Sequence, residues 1–206
     1  MRSRTRGYLP HLESSHGIYF VTFRLEDSLP VELLIRWKQE LDYERRRSPE
    51  SCASLKDLDR EYRSKVEAFL DTCAGKCWMR DPAIARLVSG ALRHFNNERY
   101  FLHAWTIMPN HVHVLFAPLD SFPLSEILHT WKSFTAKQAN RLLKRTGAFW
   151  QREYFDKLMK SERQFEFTVR YILNNPVKAG LCEAAFQWPW SGCSAEIQDL
   201  VKRFFL

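Results

Sequence analysis

Two short stretches hold residue types that could do chemistry together. In TIMPNHVHVLF, residues 106–116, His111 and His113 are separated by a single valine. Side chains at i and i+2 of a strand point to the same face, so the two imidazoles stand side by side while Val112 faces the other way. The pair is half of a metal site or, just as simply, two partly solvated polar residues in a strand, and it needs a partner elsewhere in the chain. In RYILNNP, residues 170–176, Tyr171 and Asn175 are four apart and share a helix face, which brings a phenol and an amide oxygen together. A phenol is a poor nucleophile at its usual pKa near 10. A metal that withdraws charge from a scissile phosphate and holds it in line lowers the demand on the attacking oxygen. The plain alternative is a core tyrosine on an amphipathic helix, with an asparagine at the helix end.

Positioning these residues requires a sheet and a helix across it, and the periodicity supplies both. GIYFVTFRL, residues 17–25, alternates Tyr19, Val21, Phe23 and Leu25 on one face and reads as the first strand. Residues 31–47 and 55–74 read as two charged amphipathic helices, a helical insertion at about 31–78. Asp81 as N-cap and Pro82 at the first helical position open a helix over 82–95. YFLHAWTIM and HVHVLFAPL, joined at Pro109-Asn110, read as two antiparallel strands. A helix over 124–144 follows, with a basic face of Lys132, Lys137, Arg141, Lys144 and Arg145. YFDKLMK, residues 154–160, is a short fourth strand, and a last helix runs from the Ser161 cap until Pro176 stops it. The order describes an α+β fold. It is the ferredoxin-like split βαββαβ with a central antiparallel sheet, a helical insertion after the first strand and an extra C-terminal helix carrying the tyrosine.

Composition narrows the partner. The 206 residues form one principal domain by size, with 31 Lys and Arg against 24 Asp and Glu, a net charge of +7. A basic, aromatic-rich chain suits single-stranded nucleic acid, whose bases stack on rings while its phosphates pair with cations; a merely polybasic surface is the bland alternative. No apolar stretch approaches membrane-spanning length and no export signal follows the Arg-rich start, so a cytoplasmic, nucleoid-associated protein without membrane contact is expected. The five cysteines are scattered and do not resemble a disulfide framework, and Cys73 and Cys77 lack two further ligands for zinc.

MPNHVHVLF, FWQREYFDK, VRYILNNPVKAGL and WPWSGCSAE, in that order, resemble the REP-associated tyrosine transposases. These are domesticated relatives of the one-tyrosine, His-hydrophobic-His (HUH) transposases that act on single-stranded DNA. The resemblance covers residues 8–30 and 78–195. It implies that His111 and His113 ligate a divalent metal, Mg²⁺ or Mn²⁺, that Tyr171 is the nucleophile, and that Asn175 completes the metal site where related transposases carry Gln. It implies a metal-dependent endonuclease and strand transferase that cleaves and rejoins hairpin DNA through a 5′-phosphotyrosine. The implied partner is a REP-type palindromic element, and no nucleotide cofactor is involved. The ligand chemistry agrees: two imidazoles and an amide oxygen are neutral donors suited to Mg²⁺ or Mn²⁺.

Other residues are candidates for DNA contact. Arg4, Arg6 and Tyr8 form an N-terminal arm or a solvated terminus, and Trp150 and Arg152 stack and pair with phosphate or belong to the core. Arg170 and Lys178 are the cations expected to offset the helix dipole, which disfavours a phenolate in the last turns. Tyr154 is the rival nucleophile, without a ligand-type residue four positions on. Two other functions compete, a non-catalytic module for structured DNA or RNA and a metal hydrolase using activated water. Monomer and homodimer both remain open.

Overall fold

Alternation along the strands sorts side chains onto two faces of one sheet, and each face is covered by its own helices. The structure, a computed structural model, describes the backbone of residues 2–6, 9–13, 17–47 and 52–205, and the side chains of 17–47 and 57–205. Its strands are β1 (Arg2–Arg6), β2 (Leu9–Glu13), β3 (Tyr19–Arg24), β4 (Tyr100–Ile107), β5 (His111–Pro118), β6 (Phe155–Leu158) and β7 (Ser191–Cys193). The helices are α1 (Val31–Arg47), α2 (Cys52–Asp71), α3 (Pro82–His94), α4 (Leu124–Leu142), α5 (Glu162–Lys178) and α6 (Gln198–Phe205). The main sheet is antiparallel throughout in the order β6-β3-β5-β4-β7, and β1 and β2 pair as a separate hairpin. The series β3-α3-β4-β5-α4-β6 is the expected split βαββαβ, with α1 and α2 inserted after the first strand and α5 added after the last.

Under α3 and α4 lie Tyr19, Val21, Phe23, Val112, Val114 and Phe116, the odd positions of β3 and the even positions of β5. Trp131 of α4 donates its indole N–H to the Tyr100 hydroxyl (3.0 Å), which donates to the Leu92 carbonyl of α3 (2.9 Å), so the polar atoms of this core are satisfied. Phe20, Ala104 and Leu115 face the other way, against Val169, Ile172 and Leu173 of α5. A bulge at His103 resets the parity of β4, because Leu102 pairs with Phe116 but Ala104 with Leu115. Thr106 is thereby placed opposite His113 on the α5 side.

The caps form as expected: Asp81 accepts from the Ala83 N–H (2.8 Å) and Ser161 from the Gln164 N–H (3.3 Å). Three features correct the sequence reading. Pro176 does not stop α5, which continues to Lys178; proline cannot donate to the Ile172 carbonyl, but so close to the end only one helical bond is lost. WPWSGCSAE builds an edge strand, with Trp188 donating its indole N–H to the Ile107 carbonyl and Trp190 accepting from the Ile107 N–H (both 3.0 Å). A Cβ on Gly192 would run into the Trp105 indole, which accounts for glycine in that strand. The third feature, α6, covers the α5 side of the sheet with Val201 buried. Among the described residues no helix is long and apolar enough to cross a membrane.

Candidate active site

β5 is flanked by β3 and β4, so the sheet fixes its side chains from both edges. His111 and His113 are both 1% exposed and face α5 with Nε2 atoms 3.1 Å apart. The neighbours of the two rings define their protonation. The Asn110 amide nitrogen donates to the carbonyls of Leu70 (3.2 Å) and Ala74 (3.0 Å), so its oxygen is the atom that meets His111 Nδ1 at 2.7 Å. His111 therefore carries its proton on Nδ1 and keeps a lone pair on Nε2. Thr22, opposite His113 in the β3–β5 ladder, places Oγ1 2.7 Å from His113 Nδ1. A hydroxyl both donates and accepts, so it supports either tautomer of His113, including the one that frees Nε2 for a ligand bond.

Burial pushes His111 down to about 3 and His113 well below the ordinary histidine value, with the Lys178 charge adding in the same direction. Neutral imidazoles are the ligating form. Asn175 is also 1% exposed, and its amide lies by His111 and Tyr171, influencing the ionisation of both. Neither its Oδ1 nor its Nδ2 has a hydrogen-bond partner. A buried amide without partners is costly, and its presence beside the facing Nε2 atoms of His111 and His113 fits a divalent ion held by His111, His113 and Asn175. Among the described residues no group of three His, Cys, Asp or Glu stands together to hold a metal, and the Asn175 amide is the neutral oxygen donor buried beside the histidine pair. Asn175→Leu should be neutral or stabilising by about 1–2 kcal/mol in metal-free protein, because two unsatisfied groups disappear. The same change should weaken Mn²⁺ binding by roughly 10–100-fold or more, and titration calorimetry with parallel urea unfolding checks both halves.

The Tyr171 hydroxyl lies 3.5 Å from His113 Nε2, and its ring meets Phe20 edge-on at 5.8 Å. The phenol thus meets His113 of the same chain directly. Burial raises the Tyr171 pKa, and the carboxylates of Glu67 and Asp71 raise it further, so the phenol is neutral near pH 7. The offset expected from nearby cations is absent in this arrangement. Lys178 is bound to Asp71 (2.8 Å), and Arg170 is exposed on α5.

The remaining candidates divide. Trp150 is 6% exposed, donates to Thr135 Oγ1 (2.8 Å) and packs on Phe23 and Phe149, so its ring offers no stacking face to DNA; this corrects the DNA-contact reading. Arg152 is exposed, while the side chains of Arg4 and Arg6 and all of Tyr8 lie outside the described residues. Lys132, assigned above to a basic face, is instead partly buried and donates to the Gln151 (2.8 Å) and Arg152 (2.7 Å) carbonyls, with its pKa lowered by burial to about 8. Tyr154 packs against the core under α4, away from the histidines. Cys77 donates its thiol to the Cys73 carbonyl (2.8 Å), and among the described residues no further ligands join the two thiols in a metal site. Sequence reasoning passed over Asn110, read only as a turn residue, and Glu67 and Asp71, which a charged surface helix gave no reason to single out.

Residues 79–175 match the family model for the IS200-like transposases, a span that contains both histidines and closes on Asn175. A curated REP-associated tyrosine transposase from Haemophilus influenzae is 26% identical over 102 residues, covering 45% of this chain and 58% of that protein. The chain therefore aligns with little more than half the length of that relative. By fold, the whole chain matches 89% of a solved REP-associated tyrosine transposase bound to a REP hairpin, with a TM-score of 0.53 at 16% identity. Residues 79–175 thus resemble the IS200-like transposases, and the chain is similar in sequence and in fold to REP-associated tyrosine transposases.

Proposed function

We propose that the chain, acting as one HUH domain with the 31–78 insertion, is a metal-dependent single-stranded DNA endonuclease and strand transferase that cleaves and rejoins REP-type hairpin DNA. The observation that carries this reading is the meeting of Tyr171 Oη with His113 Nε2 and of His113 Nε2 with His111 Nε2, beside the buried and unpartnered Asn175 amide. The bound ion, Mg²⁺ or Mn²⁺ from its neutral nitrogen and oxygen donors, would neutralise charge on the scissile phosphate. Everything else falls to the chain itself. α5 presents Tyr171 Oη to the phosphorus, and the bond to the 3′ oxygen breaks as the phenol oxygen bonds. The 5′ end is then held as a phosphotyrosine while the 3′ strand leaves with its hydroxyl. Because the phosphotyrosine conserves the energy of the broken bond, the reverse attack rejoins strands without a nucleotide cofactor. Arg152 and Arg170, both exposed, are the cations available to the DNA backbone. The protein works on nucleoid DNA in the cytoplasm.

The test uses a REP-type hairpin oligonucleotide labelled on the 3′ side of its foot, with Mn²⁺. The expected product is a label that migrates with the protein through denaturing gel electrophoresis, together with an unlabelled fragment bearing a 3′-hydroxyl that a polymerase extends. Chelation with EDTA should abolish both. Hairpin binding that persists without metal and without any adduct would instead identify a non-catalytic DNA- or RNA-binding module.

A further inference from the structure

The helical insertion lies outside the span that matches the IS200-like transposases, yet α2 packs on the face of the sheet that carries the candidate site. Strand register fixes what lies beneath it. In the β3–β6 ladder Lys157 stands opposite Phe20 and Phe155 opposite Thr22, and in the β3–β5 ladder Thr22 stands opposite His113. All of these side chains therefore share the site face. A row of rings leads outward from Tyr171, which meets Phe20 at 5.8 Å; Phe20 meets Phe155 at 6.2 Å, and the Arg63 guanidinium of α2 lies over the Phe155 ring at 5.4 Å. The row thus ends between two cations, Arg63 and Lys157. Arg63 Nε donates to the Asp59 carbonyl (2.9 Å), which fixes the guanidinium and leaves its two terminal nitrogens without a hydrogen bond or ion pair among the described residues. Lys157 is exposed and likewise has none among them.

Elsewhere on α2 the cations are neutralised. Lys65, two residues on from Arg63 and so on the other side of the helix, lies 3.2 Å from Glu61 and 3.8 Å from Glu40, and Arg60 is paired with Asp57. Holding Arg63 and Lys157 on one strip without a paired carboxylate costs Coulomb energy that a bound anion would offset. The Lys157 ionisation is in keeping with this: burial lowers its pKa, and the Arg63 and Lys160 charges lower it further, against Glu67. Cations beside a row of rings suit an unpaired strand, which offers phosphates and bases together. We propose that Arg63 of the insertion and Lys157 of β6 form a phosphate clamp for the single-stranded DNA that adjoins the scissile phosphate. This rests on the transesterification reading above. The guanidinium, held over Phe155 and by Asp59, presents its terminal nitrogens as a fork to one phosphate, and the Lys157 ammonium meets the backbone as a point charge. The insertion thereby walls the path of the strand to Tyr171.

The experiment measures, by fluorescence anisotropy over a range of salt concentrations, how full-length protein binds a REP-type hairpin with its single-stranded foot and the same hairpin without it. Thermal melts confirm that each variant folds. Arg63→Gln and Lys157→Gln should each weaken binding of the footed hairpin by roughly 5–10-fold and reduce the slope of log K against log salt by about 0.7, the value for one phosphate contact on a single strand. Arg63→Lys keeps the charge and should recover the slope. The hairpin without its foot should bind all variants within about twofold of wild type, and Lys65→Gln should match wild type on both DNAs. Wild-type affinity and slope in both glutamine variants, an equal loss on the footless hairpin, or an equal loss in Lys65→Gln overturns the clamp. Mn²⁺-dependent adduct formation is followed on the same samples. No adduct from wild type overturns the transesterification reading, a result distinct from failure of the clamp, which is read from binding alone.

Discussion

Tyr171→Phe should bind hairpin DNA as wild type does and form no covalent adduct, a loss of at least roughly 10⁴-fold, the scale on which removing a nucleophile acts. The change deletes one oxygen. That oxygen faces His113 Nε2 at 3.5 Å, while the ring stays seated on Phe20. Stability should move by less than about 1 kcal/mol, because a half-buried hydroxyl exchanges one modest hydrogen bond for none. The variant separates chemistry from fold, and it separates two chemistries from each other. A hydrolase that activates water at the same histidines would still cut the hairpin in Tyr171→Phe. A gel that shows cleavage without adduct in the variant would therefore sink the phosphotyrosine mechanism, whereas an adduct that maps by mass spectrometry to Tyr154 would keep that mechanism and sink Tyr171 as its nucleophile.

Metal-free protein should lose about 3–4 kcal/mol of stability between pH 6.5 and pH 5, a large share of the roughly 5–15 kcal/mol typical of a domain. His111 and His113 are both held below their unfolded value near 6.5, His111 at about 3, because a buried imidazolium would stand without solvent or counter-charge. As pH falls through 6.5 the unfolded chain takes up the protons first. Stability is then intact above 6.5 and is lost as pH falls towards the folded values, by about 1.4 kcal/mol per pH unit for each histidine. Glu67 acts in the opposite sense, since burial raises its pKa and its contribution fades as pH rises, so it softens the acid loss. Mn²⁺ should bind the neutral ligands of the folded state only and restore stability in proportion to its saturation of the site. Urea unfolding after EDTA treatment, at several pH values and with and without Mn²⁺, measures each part. A change below about 1 kcal/mol over that range would mean that the histidines are already solvated or charged in the native protein.

Local pattern made much of this protein legible in advance. The alternation in GIYFVTFRL placed Tyr19, Val21 and Phe23 under α3 and α4, where they are buried. His111 and His113 share a face because strand side chains repeat every two residues, and Tyr171 and Asn175 share one because helix side chains nearly repeat every four. Asp81 and Ser161 cap their helices because an oxygen at that position meets the free N–H groups of the first turn. Each of these is decided within a few residues of chain.

What the sequence could not decide are the features that depend on contacts between distant segments. The bulge at His103 reverses the parity of β4 through pairing with β5, and the short β7 exists because β4 offers it an open edge. Trp150 looks from its neighbours like a DNA-stacking residue, but Thr135, fifteen residues away, gives its indole a buried partner. Pro176 carries a stop signal that the tertiary packing of α5 overrides in its last turn. The chemistry divides the same way: types and spacing along the chain nominated two histidines, a tyrosine and an asparagine. Only the fold brings Tyr171 to His113 across 58 residues, seats Asn110 to set the tautomer of His111, and carries Glu67 and Asp71 in on a surface helix. Periodicity determines which way a side chain points, and burial and pairing across the sheet decide what it meets.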